Sequence, residues 1–209
     1  RLVEKKIRDL RRELEVIERR KERTVSARAT HRTVSLVGYT NAGKSTLMNR
    51  LTGADVLAQD QLFATLDTRT RRWQLPGWGP VLLSDTVGFI RDLPHTLIAS
   101  FKATLEESRQ ANLLLHVADA SNPQVLEQIR AVYGVLGEIG IEEKNTLLLL
   151  NKMDCVRHRQ RLDAIYNRYP SAIPVSGSSG LGLKRLAQAV SQALSKHFRE
   201  GEIHFSSAD

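Results

Sequence analysis

Gly38-Tyr39-Thr40-Asn41-Ala42-Gly43-Lys44-Ser45 follows the apolar run Thr33 to Val37 and precedes a helix-like run, Thr46 to Leu51. The pattern G-x-x-x-x-G-K-S, set between a strand signal and a helix signal, is a phosphate cradle. Its glycines permit a tight loop whose backbone N–H groups face an anion, and the helix N-terminus adds partial positive charge. Gly38, Asn41, Ala42, Gly43, Lys44, Ser45 and Thr46 are therefore candidate nucleotide-binding residues. Lys44 is expected to reach β- and γ-phosphate oxygens, which also makes it a catalytic candidate. The Ser45 hydroxyl is expected to be one ligand of a Mg²⁺ that bridges those oxygens.

Outward from this loop the chain alternates short apolar runs with amphipathic ones. Strands are expected at 33–37, about 69–75, about 80–85, 113–118, 146–150 and 172–175, and helices at 45–52, about 95–110, 124–139, 160–167 and 183–197. Pro76-Gly77-Trp78-Gly79 joins the second and third strands as a hairpin turn. Apolar strands alternating with helices predict an α/β fold: a mostly parallel six-stranded sheet with helices on both faces. Such a sheet binds its ligand at the carboxyl ends of the strands. Residues 54–68 lack periodicity and sit where a nucleotide-sensing switch belongs.

Two further motifs follow strands. In Asp85-Thr86-Val87-Gly88, Asp85 would hold Mg²⁺ through a water, and the Gly88 N–H would sense the γ-phosphate, a catalytic role. In Asn151-Lys152-Met153-Asp154, the Asp154 carboxylate can accept from guanine N1–H and N2–H₂, whereas adenine lacks the exocyclic donor. Lys152 would lay its stem on the base plane, and Asn151 would tie the base loop to the phosphate loop. Val175-Ser176-Gly177 is where a backbone N–H is expected to meet guanine O6. His116, inside the apolar run Leu113 to Ala118, reads as a packed histidine rather than a base. Cys155 has no nearby His or Asp arrangement that marks a nucleophile.

The formal charge of +8 over 209 residues is uneven. Residues 1–32 carry 12 Lys/Arg against 6 Asp/Glu, and residues 33–209 carry 19 against 17. A basic arm suits a polyanionic neighbour such as RNA, or is a solvated helix. Val3, Ile7, Leu10, Leu14 and Ile17 form a coiled-coil seam on a helix over 2–23, whose partner is an upstream helix, a second copy or the domain itself. The expected division is an arm over 1–32, a nucleotide-binding domain over 33–197 and a polar tail over 198–209. One cysteine, no signal peptide and no run of about 18 apolar residues point to a cytoplasmic chain with no membrane span. The start at Arg1 suggests a piece of something longer.

These motifs resemble the GTPase fold shared by translation-factor and Ras-like proteins, over about residues 33–197. Together with Phe63-Ala64-Thr65-Leu66-Asp67 and Asp85 to Pro94, they look like the HflX family of the Obg-HflX group. The resemblance implies a GTPase, binding GTP and GDP, that associates with the large ribosomal subunit and its RNA and splits or rescues stalled ribosomes. It also implies a preceding domain ending in two long antiparallel helices, of which residues 2–23 look like the second. Thr65 looks like the switch threonine that completes the Mg²⁺ shell. The pattern departs from Ras-like enzymes after Gly88, where Phe89 replaces a water-orienting glutamine. Asn41 either helps hold a K⁺ against the phosphates, as in relatives with an apolar residue at that position, or only shapes the loop. The competing reading is a nucleotide-gated RNA- or ribosome-binding module with negligible turnover.

Overall fold

A computed structural model describes residues 32–53, 69–86, 88, 108–138, 140, 146–157 and 159–195. The basic helix expected over 2–23, the switch residue Thr65, Phe89, most of the expected helix 95–110 and the polar tail lie outside the described residues.

The strands are β1 (Thr33–Val37), β2 (Arg69–Leu75), β3 (Gly79–Asp85), β4 (Leu113–Asp119), β5 (Thr146–Asn151) and β6 (Ile173–Pro174). The helices are α1 (Lys44–Thr52), α2 (Val125–Glu138), α3 (Arg159–Arg168) and α4 (Leu183–Ser195), with a short 3₁₀ turn at Met153–Cys155. One six-stranded sheet runs in the order β2-β3-β1-β4-β5-β6. All neighbours are parallel except the β2–β3 hairpin.

The apolar runs explain this order. From Leu113 to Ala118 every β4 residue is buried, and a strand apolar on both sides belongs in the interior of a parallel sheet. Alternate side chains face opposite ways. Leu115 and Val117 join Val34 and Leu36 of β1 beneath α1 (Leu47, Met48) and α4 (Leu186, Val190). On the other face Leu114 meets Val132 of α2, and Ala118 joins Leu148, Leu150, Ile129 of α2 and Ile165 of α3. The edges differ from the centre. In β2 only Trp73 and Leu75 are buried and three arginines line the strand, the charged character that discourages edge-to-edge pairing. β6 ends after two residues at Pro174, which has no N–H to extend a ladder.

The register brings the carboxyl ends of the strands to one rim. Leu36 lies opposite Asp85, Val37 opposite His116, and Asp119 opposite Asn151. Among the described residues no helix is long and apolar enough to cross a membrane.

Candidate functional site

The loop between β1 and α1 is held by what surrounds it. Gly38 ends β1 against the backbone of Val117. Asn41 stands at φ 58° and Gly43 at φ 88°, both left-handed, a conformation disfavoured for a non-glycine residue and found where a site over-determines the backbone. A Cβ on Gly43 would strike the Asn151 side chain, so glycine is required there by conformation and by space. Ala42 is buried, its N–H donating to Tyr39 O at 3.2 Å. Thr46 lies in the first turn of α1, half-buried.

Lys44 points back over the loop. Only 7% exposed, its ammonium donates to Gly38 O at 3.1 Å and Tyr39 O at 3.0 Å. Burial lowers its pKa to about 8, against the opposing pull of Asp85. An anion in the loop would relieve that desolvation. Gly88 approaches so closely that a Cβ there would lie 2.8 Å from Lys44 Nζ and from Thr40, which places the Gly88 backbone beside the ammonium.

Asp85, 1% exposed at the end of β3, accepts a 2.6 Å hydrogen bond from the Ser45 hydroxyl. Thr86 Oγ1 anchors the next residue on Leu36 O at 2.7 Å. A hydroxyl and a carboxylate at the mouth of a phosphate loop are hard oxygen donors, the kind that Mg²⁺ takes together with phosphate oxygens. These two residues therefore fit the expected ion.

The base corner is built from side chains. Asn151, buried at the end of β5, donates from Nδ2 to Ala42 O at 2.8 Å and accepts the Gly177 N–H on Oδ1 at 3.0 Å. One amide thus joins the phosphate loop, β5 and the turn after β6. Lys152, left-handed at φ 59°, is fixed by an ion pair of 2.9 Å to Asp119. Asp119 in turn accepts from the Ser121 N–H and hydroxyl at 2.9 and 2.6 Å. Asp154 is exposed and accepts from the Ser178 hydroxyl at 3.1 Å. The hydroxyl of Ser176, and after it that of Ser178, hold its carboxyl below the usual carboxylate range. It is ionised at neutral pH.

The N–H groups of Val175, Ser176 and Gly177 donate to Leu150 O, Leu181 O and Asn151 Oδ1. The Ser178 N–H donates to no acceptor among the described residues, and is the donor of this turn left for a ligand. Asp119, Ser178 and Thr86 also contribute, although no motif in the sequence marks them as site residues. Only Asp119-Ala120-Ser121 carries a signal, since Asp two residues before Ser after a strand favours a side-chain turn.

His116 is fully buried, with neither ring nitrogen hydrogen-bonded among the described residues. Burial, and then the charge of Lys44, push its pKa down to about 3, and it packs edge-on against Tyr133 with centroids 4.9 Å apart. It is a neutral packing residue. Cys155 is exposed, and the neighbouring Asp154 carboxylate raises its pKa, so it lacks the setting of a reactive thiolate.

A family model described as 50S ribosome-binding GTPase matches residues 33–152. The chain is 49% identical over 198 residues to the GTPase HflX of Escherichia coli (strain K12), covering 93% of this chain and 46% of that protein. It is 45% identical over 205 residues to the GTPase HflX of Magnetococcus marinus, covering 97% of this chain and 47% of that protein. The resemblance to the HflX family is therefore met, and the chain spans about half the length of the curated relatives it matches. It is also similar to the crystal structure of a GTP-binding protein from the hyperthermophilic archaeon Sulfolobus solfataricus in complex with GDP. That likeness has a TM-score of 0.66 and 25% identity, and covers 88% of this chain and 61% of that one.

Proposed function

Since this chain belongs to the 50S ribosome-binding GTPase family, we propose that it carries the nucleotide site of a GTP-hydrolysing switch that binds the large ribosomal subunit and acts in ribosome splitting, rescue or assembly. The observation that carries this reading is Asn151. It links the phosphate loop at Ala42 to the Gly177 turn, so a base held at Asp154 is coupled to the position of the phosphates.

In the reaction, water attacks the γ-phosphorus in line with the leaving β-phosphate oxygen, giving GDP and phosphate. Lys44 exchanges its two carbonyl partners for phosphate oxygens and gains the charge compensation it lacks when buried alone. Ser45 and Asp85, with Thr65, would hold Mg²⁺, which when bound neutralises charge on the β- and γ-oxygens. The Gly88 N–H meets the γ-phosphate. Guanine lies between Asp154, accepting from N1–H and N2–H₂, and the stem of Lys152, with O6 at the Ser178 N–H. The first turn of α1, at Ser45 and Thr46, receives the α- and β-phosphates. Catalysis is mainly positioning and electrostatic stabilisation. Asn41, already left-handed at the loop's tip, is the candidate K⁺ ligand.

A second reading has one residue in its favour. Phe89 can neither donate to nor accept from an attacking water, and this suits a nucleotide-gated ribosome-binding module with negligible turnover. Phosphate release from GTP and from ATP, in KCl and in NaCl, with and without large ribosomal subunits, separates the two. Release from GTP alone that rises with the subunits is expected. Equal rates in KCl and NaCl would remove the K⁺ role of Asn41, and tight GTP binding without turnover in every condition would leave the module.

A further inference from the structure

The exposed charges are sorted by face. Arg69 and Arg71 share a face of β2 with Trp73 and Leu75, on the side of the sheet that α1 and α4 cover. Arg71 Nη1 donates to Asn49 Oδ1 of α1 at 3.2 Å. The next residue, Arg50, is exposed, and its guanidinium rests against Gly180, within 3.1 Å of where a Cβ would stand. Beyond Gly182, the first turn of α4 carries Lys184 and Arg185, both exposed. A continuous path therefore leads from β2 through α1 and the 180–182 turn into α4. Along that path α1, β2, the turn and α4 contain no Asp or Glu. The opposite face is mixed: α2 carries Glu127, Arg130 and Glu138, and the α3 sequence holds Asp163 among Arg159, Arg161 and Arg168.

We infer that this acid-free band, Arg50, Arg69, Arg71, Lys184 and Arg185, is a docking surface for the phosphodiester backbone of RNA, separate from the nucleotide site. Four of the five cations are arginines, whose planar fork matches phosphate geometry. The exposed large hydrophobic side chain of the described residues is Leu181, 55% exposed in the turn that Arg50 touches; a single leucine does not make a membrane-binding face. The inference rests on the ribosome-binding reading only in choosing RNA over other polyanions.

The test is the salt dependence of binding to a short RNA duplex, measured on the whole chain for the wild type, for K184Q/R185Q and for R130Q/R168Q. The last pair removes the same charge from the opposite face. Each phosphate that a variant no longer neutralises should reduce the slope of log K against log salt by about 1. The slope isolates the band because the basic arm's contribution is common to all three proteins. A slope shallower by about 2 in K184Q/R185Q, with R130Q/R168Q at the wild-type value, is the expected result. Equal slopes in all three, or an equal reduction in both variants, would overturn the band, as would equally tight, band-dependent binding of polyglutamate. GDP affinity, measured in parallel, keeps the outcomes distinct. Intact GDP binding with equal slopes sinks only the band, whereas absent GDP binding sinks the nucleotide reading and leaves the slopes to judge the band.

Discussion

The phosphate end and the base end of the site sit on the same rim but are made differently. At the phosphate end the groups are buried: Lys44 is 7% exposed and Asp85 1%. The Lys44 ammonium donates to loop carbonyls, at an unfavourable electrostatic position. At the base end Asp154 and Cys155 are exposed, and the geometry is set by side-chain pairs, Lys152 with Asp119 and Asp154 with Ser178. Burial makes each electrostatic interaction strong and its removal costly. Affinity should therefore reside at the phosphate end, and discrimination between bases at the other.

The largest break in that comparison is Lys44→Ala. It removes the buried cation that the proposed mechanism sets against developing charge, and by analogy with the removal of one preorganised donor it should cost about 10²- to 10³-fold in turnover, read as phosphate release. Lys44 also sets a pH dependence. Its folded pKa is lowered from 10.5 to about 8, so the unfolded chain binds the extra proton between those values. Stability of the nucleotide-free chain should rise with pH through that window. GDP affinity should move the opposite way, falling above about pH 8 as the cation is lost. Titrations of GDP between pH 7 and about 9.5 check the sign.

Asn151→Ala tests the join between the ends. It strands Ala42 O and Gly177 N–H in a buried place, at about 1–3 kcal/mol for each unsatisfied group. Thermal unfolding and GDP titration should both report the loss. Weaker GDP binding without destabilisation would mean that the two loops are not coupled through this amide.

Smaller still is Asp119→Asn, which keeps the volume but removes the charge that fixes Lys152. The pair is partly exposed, at 29% for Lys152 and 14% for Asp119, and a pair open to solvent contributes roughly 0.2–1 kcal/mol, so GDP should bind only a few-fold more weakly, with the phosphate end unchanged. A loss comparable to that of Lys44→Ala would erase the distinction between the ends.

How much of this the sequence shows depends on distance along the chain. β1 at Thr33–Val37 and β2 at Arg69–Leu75 fall on the expected bounds, and β3, β4 and β5 within a residue, because apolar runs and turn residues act locally. β6 shrinks from the expected 172–175 to Ile173–Pro174, although the Val175 N–H still reaches Leu150 O of β5. The phosphate-loop and Asn151 motifs are legible because their spacing encodes the chemistry. The partners of Asn151 lie 109 and 26 residues away, and the pairing of Asp119 with Lys152 depends on β4 and β5 being neighbours. That information resides in the sheet order. The internal use of the Ser176 and Gly177 N–H groups is hidden from the sequence for the same reason.

Base selectivity at Asp154 is the most direct test of the site, by equilibrium titration of the wild type and Asp154→Asn with GDP, XDP and ADP. The wild type should prefer GDP over both others. In the variant the amide N–H₂ would face a base whose position 2 carries an acceptor, so the preference should turn to XDP, with the fold intact. Equal binding of GDP and ADP by the wild type, or a variant that keeps its preference for GDP, would contradict the assignment of Asp154 as the guanine-selecting residue.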